Sequence, residues 1–283
     1  MVTTFRSALR QALPADQSRI ANLMYFENRV HRHLDWRTPL DWLGAPEYWV
    51  LEDYGHLSAV LACPPDPEST AWIRLFAVAA SASVPQSWQI LWETAKQALR
   101  GRGLTVAAIV MHRWMEETLL DAGFRETQKV VVLSQDGAPF VRYDNPHGLH
   151  IRRMTRDDLS AVAALDAAAF PPLWQNSLIS LEYAFTLSEI STVGVLENSI
   201  VAYQMSTRNP FGAHLARLAV HPHLQGRRFG YLMVQDLLER TRAQGLLRLT
   251  VNTQNDNTAS LALYEKIGFR RTGEEYAVLT AMV

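Results

Sequence analysis

The chain has 283 residues and a single cysteine, Cys63. One thiol excludes an internal disulfide framework and any metal site built from several cysteines. The formal net charge is −1, from 27 basic and 28 acidic side chains, so the basic excess that marks a nucleic-acid-binding face is missing. No apolar run approaches the roughly 18 residues a membrane span needs. The opening Met1-Val2-Thr3-Thr4-Phe5-Arg6 lacks the cationic flank and apolar core of a secretory signal. The histidine pairs His31/His33 and His221/His223 have no carboxylate or cysteine at ligand spacing, and a metal site needs three or four converging ligands. These absences predict a cytoplasmic protein with no metal and no nucleic-acid or membrane partner. They leave the oligomeric state open.

What is present is a repeated plan. The length suits one large domain or two small ones, and self-similarity decides between them. Ala12 to Ala21 and Arg153 to Val162 each place a polar cap before an apolar helical period, with Asp16 falling 142 positions before Asp158. The same offset lays Ile73 to Val78 on Leu215 to Val220 and Gly103 on Gly245. Gly123-Phe124-Arg125 falls on Gly268-Phe269-Arg270 at an offset of 145, so the second copy carries three extra residues. This register predicts a tandem duplication: residues 1–134, a Gly/Pro/Asn-rich linker over 135–148, and residues 149–283. Within the linker, Phe140 to Tyr143 is an extended stretch suited to packing on a domain.

The second copy reads as mixed α/β, mostly antiparallel at its front. Strands are expected over His150–Arg153, Ser191–Leu196, Ser199–Thr207, Ala213–Val220, Leu246–Val251 and Tyr276–Met282, with a hairpin turn at Glu197-Asn198. Helices are expected over Asp157–Ala168, Asn176–Leu187, Phe229–Gln244 and Thr258–Ile267.

Chemistry concentrates in two stretches. The run Val220-His221-Pro222-His223-Leu224-Gln225-Gly226-Arg227-Arg228-Phe229-Gly230-Tyr231 leaves a strand, turns and opens a helix. A helix start presents unpaired N–H groups and the positive end of the macrodipole, which suits phosphate. Gly226 and Gly230 let an anion approach the backbone, and Arg227 and Arg228 add charge. The second stretch starts at Asn252, passes Asn257 as a helix N-cap, and places Tyr264 two helical turns later on the same side. An ordinary glycine turn before a surface helix, a purely capping Asn257 and a core aromatic at Tyr264 are the structural alternatives.

Taken together, the two stretches closely resemble the GNAT superfamily of acyl-CoA-dependent N-acetyltransferases. The family's pyrophosphate loop, Gln/Arg-x-x-Gly-x-Gly/Ala, is met by Gln225 and Gly230, with Arg228 where the first glycine is usual. The family's later pattern, Asn-x-x-Ala/Ser-x-x-Leu-Tyr-x-x-x-Gly-Phe, is met by Asn257, Ser260, Leu263, Tyr264, Gly268 and Phe269. The resemblance covers residue 149 to the C-terminus well and the first half only in outline. It implies two tandem GNAT-like acyl-CoA N-acyltransferase domains, with acetyl-CoA as co-substrate. It also implies that Leu218, Ala219 and Val220 lie along the pantetheine arm. Gln225, Gly226, Arg227, Arg228, Phe229, Gly230 and Tyr231 would hold the pyrophosphate, Asn252 and Asn257 would flank the cofactor, and Tyr264 would protonate the departing thiolate.

The first half carries losses at the matching positions. Pro85 falls under Arg227, Trp88 under Gly230 and Leu119 under Tyr264. Proline removes an N–H donor and the indole fills the helix entrance, so this half is expected to be degenerate, serving structure or substrate shaping. Seven of the eight tryptophans lie in it. Trp36 and Trp42 suit either a pocket or an interface between the halves. Phe170 and Trp174 border the acceptor region in GNAT relatives and are either a cover over the amine or sheet packing. His214, Glu182 and Glu189 are open candidates for a base acting through water.

The expected activity is transfer of an acetyl group to a primary amine of a small molecule or peptide, by direct attack at one site in the second half. Two alternatives stand beside it: a non-catalytic acyl-CoA sensor, and a tandem acetyltransferase of thiol-cofactor biosynthesis resembling mycothiol synthase.

Overall fold

The computed structural model describes residues 8–145 and 147–283. The N-terminal stretch read for a signal, and Pro146 of the expected linker, lie outside the described residues. The described residues divide into two compact units, one of residues 8–127 with 277–283, the other of residues 128–145 and 147–276.

The first unit runs β1 (Ala8–Gln11), α1 (Gln17–Phe26), β2 (Arg29–Arg32), β3 (Tyr48–Asp53), β4 (His56–Ala62), β5 (Thr70–Trp72), β6 (Leu75–Val78), α2 (Val84–Leu99), β7 (Thr105–Val110) and α3 (Arg113–Asp121). It ends in the start of β8 (Arg125–Asp136). Its main sheet has the order β1-β3-β4-β6-β2, all antiparallel. β5 pairs parallel with β7. Helix α2 buries Trp88, Leu91, Trp92, Ala95 and Leu99 against Leu61, Phe76 and Val106. Trp42 belongs to a second core with Tyr48, Val50 and Leu75 in this unit, a place that neither expectation for it named.

The second unit continues β8 and runs β9 (His150–Arg153), α4 (Leu159–Ala169), α5 (Leu178–Leu187), β10 (Ile190–Leu196), β11 (Ser199–Asn209), β12 (Gly212–Val220), α6 (Phe229–Ala243), β13 (Arg248–Gln254), α7 (Thr258–Lys266) and the start of β14 (Arg270–Met282). Its strand order is β8-β13-β12-β11-β10-β9, antiparallel throughout except the parallel β12–β13 pair. The hairpin joining β10 and β11 turns at Glu197 and Asn198, both with positive φ (48° and 66°). Two consecutive positive φ values are the mark of the tight hairpin turn that matches strand twist.

The expected division at 134 and 149 requires correction. Residues 128–136 of β8 pair with β13 from Val130↔Gln254 to Asp136↔Arg248, which makes them a strand of the second unit. The stretch after them also packs there: Phe140 and Tyr143 sit on the core of α6, α7 and β13. At the other end, Ala277–Met282 of β14 pair antiparallel with β7 and count with the first unit.

The repeat is visible at the level of single hydrogen bonds. Asp16 accepts from Arg10 and from the Leu13 N–H, and Asp158, 142 positions on, accepts from Arg152 and the Thr155 N–H. In each unit an arginine of the strand before the first helix grips a buried carboxylate that closes the turn into that helix. The arginine partners hold both carboxyls down at about 2, below the ordinary value of 3.8. Because both folded-state values are depressed, the stability they contribute is fully present above about pH 4 and is lost as pH falls toward 2. The arginines are about one-third exposed, so the contribution is on the order of 1–2 kcal/mol each. Melting temperature followed by circular dichroism is expected to fall steeply between pH 4 and pH 2, and Asp158→Asn is expected to flatten part of that fall.

Candidate active site

The strand–helix junction around β12 defines the site. β12 pairs with β13 only over Ala213–Leu215, opposite Leu249–Val251. One residue further its register against β11 shifts, with Met205 opposite Arg217 and Ser206 opposite Leu215, so Ala216 is the extra residue of a β-bulge. A bulge bends a strand and re-aims the residues after it. Beyond it, β12 and β13 part, and residues 216–220 keep a partner on the β11 side alone. The His221 N–H donates to the Val201 carbonyl. Alternation along an antiparallel pair then turns Arg217 and Ala219 toward β11, and presents the N–H and C=O of Leu218 and Val220 to the open side. Of the expected strand residues, Leu218 and Val220 therefore border the opening with their backbones, whereas Ala219 directs its backbone the other way.

The loop at the end of β12 faces the same opening. Gln225 folds back, its Nε2 donating to the Val220 carbonyl at 3.2 Å. Gly226 has φ of 78° and Arg228, the N-cap of α6, has φ of 66°. No acceptor among the described residues meets the N–H groups of Gly226 through Tyr231. Positive φ at Arg228 accounts for the family's preference for glycine there, since a left-handed side-chain-bearing residue costs about 1–2 kcal/mol. The guanidinium of Arg228 offsets part of that cost by lying 4.6 Å from the centre of the Tyr143 ring. Gly230 is needed for closeness: a Cβ there would come within 3.3 Å of Leu263 and 3.7 Å of Val220. Phe229 and Tyr231 turn their side chains into the core. The Tyr231 hydroxyl donates to the Val141 carbonyl at 2.6 Å. At those two positions only the backbone N–H remains for a ligand.

Helix α7 supplies the rest. Asn257 caps it, accepting from the Ser260 N–H at 3.1 Å, so the capping role is met by direct contact. Tyr264 is buried, packs on Phe269 with ring centres 5.5 Å apart, and its hydroxyl has no hydrogen-bond partner among the described residues. Burial pushes its phenol pKa up, which keeps the proton on the oxygen throughout the neutral range. Asn252 is exposed on β13.

On the opposite face of the sheet lies a group that sequence reasoning missed. Asp166 of α4 is fully buried. It accepts from the Tyr203 hydroxyl, from Arg217 at 2.8 Å and from the Asn176 N–H at 2.8 Å. Arg217 also donates to the Trp174 carbonyl at 2.6 Å and lies over the Phe170 ring at 3.5 Å. The Trp174 indole donates to Gln128, which in turn donates to Asp256 at the start of α7. Phe170 and Trp174 are thus each held by Arg217, and Trp174 also by Gln128. The only sequence signal was a charge inside each of two apolar runs, Leu165-Asp166-Ala167 and Ala216-Arg217-Leu218. Removing one partner of a buried pair leaves the other charge unmatched, at a cost of about 3 kcal/mol. Asp166→Asn is expected to lower the unfolding free energy in urea by about that much, and Tyr203→Phe by about 1 kcal/mol.

The three base candidates are separated. Glu182 and Glu189 are exposed. His214 meets the Thr250 hydroxyl at 2.8 Å, and burial lowers its pKa, so it is neutral at pH 7. Cys63 is buried with its thiol pKa pushed up, and so is no nucleophile. No group of three or more His, Cys, Asp or Glu among the described residues is arranged to hold a metal ion, and no helix among them is long and apolar enough to cross a membrane.

In the first unit the corresponding parts are arranged differently. β5 parts from β7 after Trp72, as β12 parts from β13. β6, at the offset that lays Leu75–Val78 on Arg217–Val220, has no open edge: β4 pairs with one side and β2 with the other, Arg29↔Val78 through Arg32↔Leu75. The chain's own strand occupies the gap. Helix α2 also starts differently, with Ser83 capping the Gln86 N–H, Pro85 in the first turn and Trp88 buried behind it.

A mixed sheet with one parting strand pair, beside a bare helix start, defines an α/β acyltransferase fold. Solved structures of that class match over nearly the whole chain. A GCN5-related N-acetyltransferase from Sphaerobacter thermophilus aligns over 98% of this chain and 95% of its own, with a TM-score of 0.63 and 15% identity. A tandem GNAT protein from the clavulanic acid biosynthesis pathway aligns over 98% of both chains, with a TM-score of 0.61 and 16% identity. In sequence, residues 159–269 match the model of the Acetyltransferase (GNAT) family. The N-alpha-acetyltransferase RimI of Mycobacterium tuberculosis is 31% identical over 129 residues, which is 44% of this chain and 79% of that protein. The [ribosomal protein bS18]-alanine N-acetyltransferase of Salmonella typhimurium is 24% identical over 122 residues, 39% of this chain and 81% of that one. The chain belongs to the GNAT acetyltransferase family, and is an acyl-CoA-dependent N-acyltransferase.

Proposed function

We propose that the second unit holds the one working site. There it transfers an acetyl group from acetyl-CoA to a primary amine of a small molecule or peptide by direct attack. The observation that carries this is the convergence of the open β12 edge at Leu218 and Val220 with the six unpaired N–H groups of Gly226–Tyr231. The strand edge is spaced to pair with the amides of a pantetheine arm, as an added strand would. The N–H groups and the two arginines Arg227 and Arg228 suit a diphosphate. In the reaction the amine nitrogen, once it has given up its ammonium proton to solvent, attacks the thioester carbonyl. The C–N bond forms, the C–S bond breaks, the departing thiolate takes the Tyr264 proton, and the second proton shed by the attacking nitrogen restores the Tyr264 phenol by way of solvent. An N–H from the strand at the thioester oxygen would stabilise the charge that develops there.

The first unit, with its gap filled by β2 and its helix start blocked by Pro85 and Trp88, is a structural or substrate-shaping half on this reading. The names of the two relatives make a peptide α-amine the first acceptor to try. The test is acetyl-CoA with a panel of N-terminal peptides and small amines, read by release of free thiol. Turnover with at least one acceptor is expected. Tight acetyl-CoA binding with no turnover on any acceptor would instead support a sensor.

A further inference from the structure

The first unit has a cleft of its own. It is about 570 Å³, within the range of small-molecule sites. It lies between α2 and α3, the repeat counterparts of α6 and α7, and β2 contributes Arg29 to its wall. Its walls are indoles: Trp88 and Trp92 stack with centres 5.6 Å apart and planes 17° from parallel, and Trp114 stands across on α3.

The polar groups on these walls are unevenly matched. Lys96 is paired with Glu93, and Glu117 with Arg113. The Arg29 guanidinium has no carboxylate partner among the described residues and sits 5.9 Å from the Trp114 ring centre. No acceptor among those residues meets the indole N–H of Trp88, Trp92 or Trp114, and that of Trp88 is wholly buried. Buried donors without acceptors are rare and call for an explanation. The accessible donors, the Arg29 guanidinium and the indole N–H groups of Trp92 and Trp114, and the aromatic walls fit a flat ligand that brings acceptors. Asp121, exposed at the end of α3, is the one acid on the lining without a partner among the described residues.

We propose that this cleft binds an aromatic carboxylate, its ring against the indoles and its oxygens on Arg29. The strand that closes the first unit to acyl-CoA is the one that delivers Arg29, so the duplicated cofactor cleft has become a site for a different chemical class. This inference stands whether or not the second unit's acceptor is a peptide.

Titration calorimetry on the full chain tests it, with indole-3-acetate as probe and tryptamine as the charge-reversed control. Indole-3-acetate is expected to bind with a Kd of about 0.1–1 mM, and tryptamine at least tenfold more weakly. Arg29 is exposed, so Arg29→Gln is expected to fold normally and to weaken indole-3-acetate about tenfold. Saturating acetyl-CoA is expected to leave the probe's affinity unchanged. Absence of binding at 5 mM probe, as an order-of-magnitude ceiling for a ligand of this size, would overturn the proposal. So would equal binding of tryptamine, indifference to Arg29→Gln, or displacement by acetyl-CoA, which would move the probe to the second unit.

Discussion

Tyr264→Phe is expected to lower kcat for acetyl transfer by about 10²-fold, the usual scale for loss of a positioned general acid, while leaving the Kd for acetyl-CoA within twofold or so. The ring remains: it packs on Phe269 and belongs to the core of α6, α7 and β13. The hydroxyl has no partner to lose among the described residues, so the melting temperature should hold, which separates a chemical role from a structural one. Burial raises the phenol pKa, with a consequence for the pH profile. A proton donor whose pKa lies far above neutrality stays loaded, so Tyr264 should add no descending limb below pH 9 or so. A limb on the acid side would report deprotonation of the amine. Stopped-flow measurement of thiol release and calorimetry with acetyl-CoA give the two numbers. Wild-type turnover in the variant would leave the tyrosine as core packing and reassign the proton to solvent.

Much of this site was legible in the sequence, for reasons tied to particular residues. The Glu197-Asn198 turn, the cap at Asn257 and the glycine stop at Gly268 are local devices, set by residues a few positions apart. Periodicity placed the strands and helices of the second half within a few residues of where they lie, except that β14 starts at Arg270, six residues before the expected Tyr276. What periodicity does not carry is which sheet a strand joins. Residues 125–136 form one unbroken strand across the boundary between the units, yet from Val130 on it hydrogen-bonds to β13. The Asp166–Arg217 pair spans 51 positions and two elements, and nothing local announces a partner at that distance. β2 is four residues long, too short for alternation to register, and its effect comes wholly from where it pairs. Arg228 shows the converse: the departure from the family's glycine was visible in the sequence, and only its φ of 66° gives the departure a physical meaning.

Gly230→Trp is the severest single test of the proposed cofactor site, because it writes the first unit's residue at the equivalent position, Trp88, into the second. The glycine Cα faces Leu263 and Val220 so closely that even a Cβ would stand 3.3 Å from the Leu263 side chain. An indole has no room there and must swing toward the N–H groups of Gly226–Tyr231. Loss of acetyl-CoA affinity by at least about 100-fold is expected, since both the anion cradle and the approach to the Val220 edge are obstructed. Gly230→Ala provides the graded control. Its single methyl group meets only the end of a flexible leucine, so affinity should change less than about threefold, at a small cost in packing. The reciprocal change, Trp88→Gly, should not create a second site. Although it clears the helix start, Pro85 still withholds one donor and β2 still pairs along Leu75–Val78. Calorimetry with acetyl-CoA on the three variants therefore distinguishes two accounts of the first unit. If Trp88→Gly raised the stoichiometry from one to two, the indole alone would be the block and the strand in the gap incidental. If stoichiometry stays at one, the indole is not the sole block, and Pro85 together with the strand in the gap keeps the unit closed.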